Sequence, residues 1–388
     1  MIIHFHFSSN ENSGEIRRIK NINKDVAFQL SDKVIEVAFV SVFYFFKKQK
    51  ERFKLNNREL KKYYIPMLPF SYSRLVMKKI NSFWISFVLY LICLRYSPKY
   101  LLGEYSIAGQ ALKFISKKYN IIIDVHGATR EEYEYSVEKP DNKLAKYFDY
   151  LETIGLKKSK YIICQSDAMK RFLLQKYPFL SEHQIYVYRC GVNMLNFFYD
   201  ESIREQYREK LKLSRKDILL VYSGGLHKWQ RVEDVLTLFG SFAEENSSAK
   251  LLILTIDKEK AINLIKTKYL FLENRITVKS VPHDEVCCYL NAADAAFLLR
   301  DNVVLNAVAF PTKLAEYLAC GLPVISTDVS KYWLEDDKFI YNVDEKDIID
   351  LVDFIETIDR TLIMEFSKNL SIDKDKAVIN QLIRNEKK

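Results

Sequence analysis

Two glycines followed by two cations mark the first stretch of this sequence where phosphate chemistry could occur. In Leu219-Leu-Val-Tyr-Ser-Gly-Gly-Leu-His-Lys-Trp-Gln-Arg-Val232, an apolar run ends at Gly224-Gly225, and Lys228 and Arg231 precede a new helical pattern. Without side chains at the turn an anion can reach the backbone amides, while nearby cations and a helix N-terminus neutralise it. The same residues also suit an ordinary tight turn with exposed bases.

A second stretch adds a carboxylate. Ala295-Ala-Phe-Leu-Leu-Arg300 is followed, after a loop, by Pro311-Thr-Lys-Leu-Ala-Glu-Tyr-Leu-Ala-Cys-Gly-Leu-Pro-Val-Ile325. Pro311 suits the first turn of a helix and Gly321 its C-terminal stop. Free amides at Thr312 and Lys313 could hold a diphosphate, with Arg300 and the Lys313 ammonium adding charge. Glu316 lies one turn on, on the same face as Lys313, where it could accept hydrogen bonds from a ribose diol. The plainer reading is an i,i+3 salt bridge on a surface helix.

Other signals carry less. His4 and His6 share one side of a strand at period two and read as structural. Asp373-Lys-Asp375 has the spacing of a metal-binding acidic pair but sits in a polar tail, as a solvated cluster. His227, His283 and Trp229 lie in loops near the glycine turn and the second stretch. Six Cys, at 93, 164, 190, 287, 288 and 320, form no CxxC pair and no zinc-type spacing, which points to a reducing, cytoplasmic setting without a disulfide framework.

These groups need strands and helices to position them. The 388 residues are 48% hydrophobic and 28% charged, too apolar for a disordered chain and long enough for two domains. Short β-branched runs alternate with helical stretches throughout, the pattern of βαβ units. Strands are expected at Ile2–Phe7, Ile35–Tyr44, Tyr100–Tyr105, Ile121–Val125, Tyr161–Cys164 and Ile185–Tyr188, then at Ile218–Tyr222, Leu251–Thr255, Ile276–Val278, Ala295–Leu299 and Val324–Ser326. Helices are expected at Leu75–Leu94, Ala108–Lys118, Lys143–Gly155, Ala168–Lys176, Val232–Glu245, Asp284–Ala292 and Thr312–Cys320. The polar stretch from Asp200 to Arg215 reads as the junction. It separates a domain at 1–200 from one at 201–365, with a helical tail at 366–388 that could return to the first.

The net charge of +9 is unevenly spread. Residues 47–99 hold 13 basic and two acidic residues, interleaved with aromatics such as Phe83, Trp84 and Phe87. Such a stretch fits an anionic membrane surface, or simply a solvated basic face. No nucleic-acid module accompanies it, and none is expected as a partner. The longest uncharged apolar run, Phe83–Leu94, has twelve residues, short of the ~20 a spanning helix needs. The first seven residues read as a strand and not as a signal peptide.

With these residues in view, the Arg300 to Ile325 segment resembles the nucleotide-sugar-binding signature of family 4 (group 1) glycosyltransferases of the GT-B fold. Four other stretches are similar to that family in the same order. They are Ile123-Asp-Val-His-Gly127, Ile163-Cys-Gln-Ser-Asp167, Tyr186-Val-Tyr-Arg-Cys-Gly-Val-Asn193, and Val281-Pro-His-Asp-Glu-Val286 with Asn291-Ala-Ala-Asp294. The resemblance covers roughly residues 120–330.

What it implies is an α/β protein of two doubly wound, Rossmann-like parallel-sheet domains facing a central cleft. It implies transfer of a sugar from a nucleoside-diphosphate sugar, with retention and without metal; a hexosyltransferase is expected, and the basic-aromatic stretch 47–99 points to a membrane-associated acceptor, lipid-linked or polysaccharide. By the same resemblance Glu316 holds the donor ribose. Lys228 or Arg231, with Arg300, holds the diphosphate beside Gly224, Gly225, Thr312 and Lys313. His126 contacts the donor sugar, and Gly14 and Gly127 let their loops approach donor or acceptor. Two positions depart from the family pattern. Gly224-Gly225 stands where Gly-Arg is usual, and Val308 stands where an earlier Glu is usual. An epimerase of the same fold, or a non-catalytic membrane-binding partner, are the alternative functions.

Overall fold

In the computed structural model the described residues are 1–7, 18, 21–31, 33–49, 60–67, 75–189, 191–334 and 336–387. They form two compact units, 1–190 with 375–388, and 191–374.

The first unit is built on a seven-stranded sheet in the order β3-β2-β1-β4-β5-β6-β7. Its strands are β1 (Ile2–Phe7), β2 (Val34–Val40), β3 (Leu60–Pro66), β4 (Tyr100–Glu104), β5 (Asn120–Val125), β6 (Tyr161–Cys164) and β7 (Ile185–Val187). Every pairing is parallel. A parallel sheet is covered on both faces, so its strands read as unbroken apolar runs; β2 and β4 are buried at every residue. The second unit holds a six-stranded parallel sheet in the order β10-β9-β8-β11-β12-β13. Its strands are β8 (Ile218–Ser223), β9 (Ala249–Leu254), β10 (Ile276–Lys279), β11 (Ala295–Leu298), β12 (Val324–Ser326) and β13 (Ile340–Asn342).

Two strands escape the expected set. The edge strand β3 contains Lys61 and Lys62 and ends at Pro66, a composition suited to an edge but unlike a buried strand. The other, β13, is three residues long. The run expected as one strand to Tyr44 turns into a helix, Val42–Gln49. The helix expected at Ala108–Lys118 is replaced by a short 3-10 turn, Ser106–Gln110, and further turns. Side chains take its backbone groups instead: Ser82 Oγ donates to Gln110 O, and Phe114 N–H donates to Ser86 Oγ at 2.9 Å.

The junction falls at residue 190, ahead of the expected Asp200. Beyond it the chain already belongs to the second unit, where Val192 N–H bonds Leu370 O and Ile372 N–H bonds Val192 O. The stretch after Asp200 is a helix, Glu201–Lys210, capped by the Asp200 carboxylate, which accepts from Ser202 N and Ile203 N. The closing helix Ile372–Lys387 buries Ile379, Leu382 and Ile383 against Ile2, Ile22 and Tyr188 of the first unit. Each such side chain is worth about 1.5–3 kcal/mol when removed from water. Asp375, expected in a solvated cluster, is instead buried with Arg189 Nη1 at 3.8 Å, while Asp373 stays exposed. The apolar helix also outgrows its uncharged run: Leu75–Tyr96 has 22 residues and is long and apolar enough to cross a membrane by length and composition.

One carboxylate ties the second unit together. Asp294, just before β11, lies 2.6 Å from Arg204, 3.2 Å from Arg208 and 3.3 Å from Arg360, and accepts the Leu219 amide at 2.8 Å. It joins the helix Glu201–Lys210, strand β8 and the helix Arg360–Ser367 at a largely buried point. Removing one member of such a network leaves cations unpaired, at roughly 3–5 kcal/mol. Asp294→Ala is therefore expected to lower urea stability by that amount, read by circular dichroism, and a loss within the range of surface substitutions would contradict this role.

Candidate functional site

In an open parallel sheet, loops diverge where strand order reverses, and ligands bind at the carboxyl ends beside that point. In the second sheet the reversal lies between β8, whose successor β9 is on one side, and β11, whose successor β12 is on the other. Gly224-Gly225 follows β8 and Arg300 follows β11, so the topology brings both to the reversal.

Helix Thr312–Ala319 completes this edge. It ends at Gly321, whose φ of +68° is the left-handed conformation that glycine adopts without strain. The Lys313 side chain reaches back to Gly224: a Cβ there would sit 2.1 Å from Lys313 Nζ and 2.8 Å from Tyr222 Oη. Glycine at 224 is thus what admits the ammonium. Lys313 Nζ also stands 5.8 Å from the centre of the Tyr222 ring. Burial pushes the Lys313 pKa down to about 7, Arg300 pushes the same way, and Glu316 opposes. Arg300 is 8% exposed, and burial lowers its pKa as well. Neither cation forms an ion pair among the described residues.

The frame around these cations is tightly bonded. Thr327 Oγ1 donates to Arg300 O at 2.5 Å, and Arg300 Nη1 donates to Leu299 O at 2.6 Å. Tyr317 Oη accepts the Ser223 amide at 3.1 Å, and Tyr222 Oη donates to Gly225 O at 2.6 Å. Glu316 is half-buried on the face of Lys313, and its charge acts on both Lys313 and Tyr317.

The remaining second-unit residues fare differently. Arg231 adopts φ 51° and caps the helix Val232–Glu245; its guanidinium lies 2.6 Å from Asp234 and 3.6 Å from Asp301. Its charge is already matched, although its Nη1 touches Arg300 O at 3.4 Å. Lys228 and Thr312 are exposed. His227 stacks on Trp229 at 4.6 Å and 13°, beside Gly225. His283 opens the helix His283–Ala292 and packs on Phe197 at 5.6 Å. Val308 is buried, so no carboxylate stands at that position.

In the first unit His126 follows β5 and is surrounded by charge. Its Nε2 lies 2.5 Å from Glu104 Oε2 and 2.6 Å from Asp124 Oδ2. Glu104 also contacts His4. Arg18 grips Asp124, with Nε at 2.7 Å, and donates to Tyr188 O at 2.8 Å. Burial alone would depress the imidazolium, but Asp124 and Glu104 outweigh it and raise His126 to about 9. The two histidines in turn hold Glu104 well below the usual carboxylate range despite its burial. His6 pairs with Glu36 at 3.0 Å, which also contacts Lys62. The donor atoms of Glu104, Asp124 and His126 lie within 4.8 Å of one another, a set able to grip a cation. Arg18 and the imidazolium already balance its two carboxylates. At Gly127 the Glu132 carboxylate occupies the place of a Cβ, while Gly14 lies outside the described residues.

Sequence reasoning passed over Glu104, Asp124, Arg18, Tyr222, Tyr317 and Thr327. A signal existed for two of them. Asp124 and His126 are two apart on an extended segment and so share a side, and Glu104 is a charge ending an apolar strand. Arg18 is 106 residues from Asp124 and carried none.

Residues 203–356 match the family model described as "Glycosyl transferases group 1". An uncharacterized glycosyltransferase of Methanocaldococcus jannaschii is 27% identical over 251 residues, 64% of this chain and 59% of that protein's length. Among solved structures, Anabaena HepE in complex with UDP-glucose superimposes with a TM-score of 0.66 at 12% identity, over 99% of each chain. WaaG, a glycosyltransferase involved in lipopolysaccharide biosynthesis, gives 0.67 at 14% identity over 98% of each chain. At such identities the likeness concerns the fold. The chain therefore has the GT-B fold, and residues 203–356, within its second unit, are similar to the group 1 glycosyl transferases.

Proposed function

We propose that this protein is a metal-independent, retaining glycosyltransferase that moves a hexose from a nucleoside-diphosphate sugar to a lipid-linked or polysaccharide acceptor at the cytoplasmic side of a membrane. One observation carries the donor part: Arg300 and Lys313 are withdrawn from water at the strand-order reversal and form no ion pair among the described residues. Unpaired charge away from water is costly, so such a pair favours an anion between them. Among the relatives, HepE binds UDP and UDP-glucose, which makes uridine diphosphate sugars the first donors to test.

In this reading the diphosphate lies against Gly224, Gly225 and the first-turn amides at Thr312 and Lys313, with Arg300 and Lys313 as its counter-charges. Lys228 is an exposed cation on the adjoining turn, and Arg231 positions the Arg300 loop through Asp301. Glu316 accepts the ribose hydroxyls, and the stacked His227–Trp229 pair offers a face to the base. During transfer the bond from the anomeric carbon to the phosphate oxygen breaks. The electron pair leaves with the nucleoside diphosphate, the acceptor oxygen bonds to that carbon, and its proton passes to the leaving phosphate. Fixed cations stabilise the charge that develops on that phosphate. In the first unit His126 is a proton-holding hydrogen-bond donor and not a base, since a group raised to about 9 keeps its proton at neutral pH.

Two outcomes test the donor site. Glu316→Ala is expected to weaken donor binding by more than about tenfold in calorimetry, of the order of one charged hydrogen bond; unchanged affinity would count against the reading. Lys313 has a pKa of about 7 when free, and a bound diphosphate raises it. Binding of uridine diphosphate in mildly alkaline buffer should therefore take up protons, seen as heats that vary with buffer ionisation enthalpy. Lys313→Arg, which stays charged, should abolish the uptake while retaining binding. Buffer-independent heats for the parent protein would remove Lys313 from the site.

A further inference from the structure

The helix Leu75–Tyr96 is inverted relative to an ordinary surface helix. The face it buries carries Asn81, Ser82 and Ser86 beside Ile85, Leu89 and Cys93. The face it exposes is apolar along its whole length: Val76 is 64% exposed, Ile80 47%, Phe83 59%, Phe87 42%, Leu91 47% and Leu94 54%. Spacings of three and four place these six on one stripe. Phe114 extends the stripe, 43% exposed and edge-on to Phe83 at 5.0 Å. Scattered exposed apolar residues are normal, but a continuous apolar face marks an interaction surface.

Charge identifies what covers it. Between Leu75 and Tyr119 there are seven Lys and Arg and one carboxylate, Glu104, which is fully buried against His4 and His126. Lys79 and Arg95 on the helix, Lys99 just after it, and Lys117 and Lys118 just after Phe114 are exposed. Apolar side chains accompanied by cations, with no exposed acid within residues 75–119, match an anionic lipid surface, where the rings enter the acyl boundary and the ammonium groups meet phosphates.

The topology decides how the helix lies. It is the crossover from β3 to β4, two parallel strands of one sheet. Its inner face is bonded through Ser82 and Ser86 to the turns at Gln110 and Phe114, and Trp84 Nε1 donates to Pro66 O at 3.0 Å. Spanning a bilayer would put its two ends on opposite sides of the membrane and break this crossover.

We propose that the helix Leu75–Tyr96 docks flat on an anionic bilayer, its Val76-to-Leu94 stripe inserted at the interface and the surrounding lysines on the headgroups. This deepens the acceptor part of the proposed function and is independent of its donor part. The test is sedimentation of the full chain with phosphatidylcholine vesicles, with and without phosphatidylglycerol. The parent protein should sediment with the anionic vesicles only and be released by alkaline carbonate. The variant Phe83→Gln/Phe87→Gln/Leu91→Gln should lose binding by roughly tenfold or more, since each side chain forfeits its apolar burial. A second variant, Lys79→Glu/Lys117→Glu/Lys118→Glu, should lose it comparably and keeps the proposal testable should the first misfold. Three results would overturn it: anionic vesicles leaving the parent in the supernatant, resistance to carbonate, or a dimer that the glutamine variant dissolves, which would make the stripe an interface between copies. A thermal shift with uridine diphosphate glucose, repeated on both variants, reports the donor site separately, so loss of either reading leaves the other standing.

Discussion

Positive charge held away from water, with no ion pair among the described residues, is the constraint on which the second unit turns. Arg300 and Lys313 lie beyond the carboxyl ends of central strands where burial opposes their charged forms, and Arg300 makes Lys313 harder still to keep charged. A fold tolerates this only where the surrounding frame is rigid and something outside the chain supplies the opposite charge. The frame is visible: the Arg300 carbonyl is bound by Thr327, the Ser223 amide by Tyr317, and Gly224 is shaped to admit the lysine. Its anchor lies at the other end of β11, where three arginines meet Asp294.

The first unit solves a similar problem the opposite way. Its buried charges are matched in place, two carboxylates against Arg18 and the His126 imidazolium, with His4 adding a further contact. Such a network fixes the orientation of each member because every displacement leaves a charge exposed to a poor solvent. A histidine held this way is a fixed donor, and that property distinguishes it from the titrating Lys313 of the other unit.

Much of the fold was legible because parallel strands buried on both faces leave long apolar runs that alternate with helical periodicity. That pattern located β1, β4, β5, β6 and nearly all of the second sheet. It failed where side-chain chemistry overrode it. The lysines of β3 disguised an edge strand, and Ser82 and Ser86 diverted the backbone of a segment whose composition reads as helix. The junction was misplaced because a capped polar helix and a linker have the same composition, and only the arginines on Asp294 distinguish them.

Local signals named the candidate residues of the site. Glycines after a strand, a proline and glycine bounding a helix, and Lys313 with Glu316 one turn apart all act over a few residues, so the sequence by itself determined them. Tertiary structure alone decided which cations would be unpaired. Arg231 and Arg300 look alike as letters, yet one meets Asp234 and Asp301 while the other is buried and forms no ion pair among the described residues. It also decided that Arg18 would reach Asp124 and that the apolar face of Leu75–Tyr96 would point outward. The physical reason is the same throughout: pairing and burial depend on distances through space, which residue order does not contain until the sheets form.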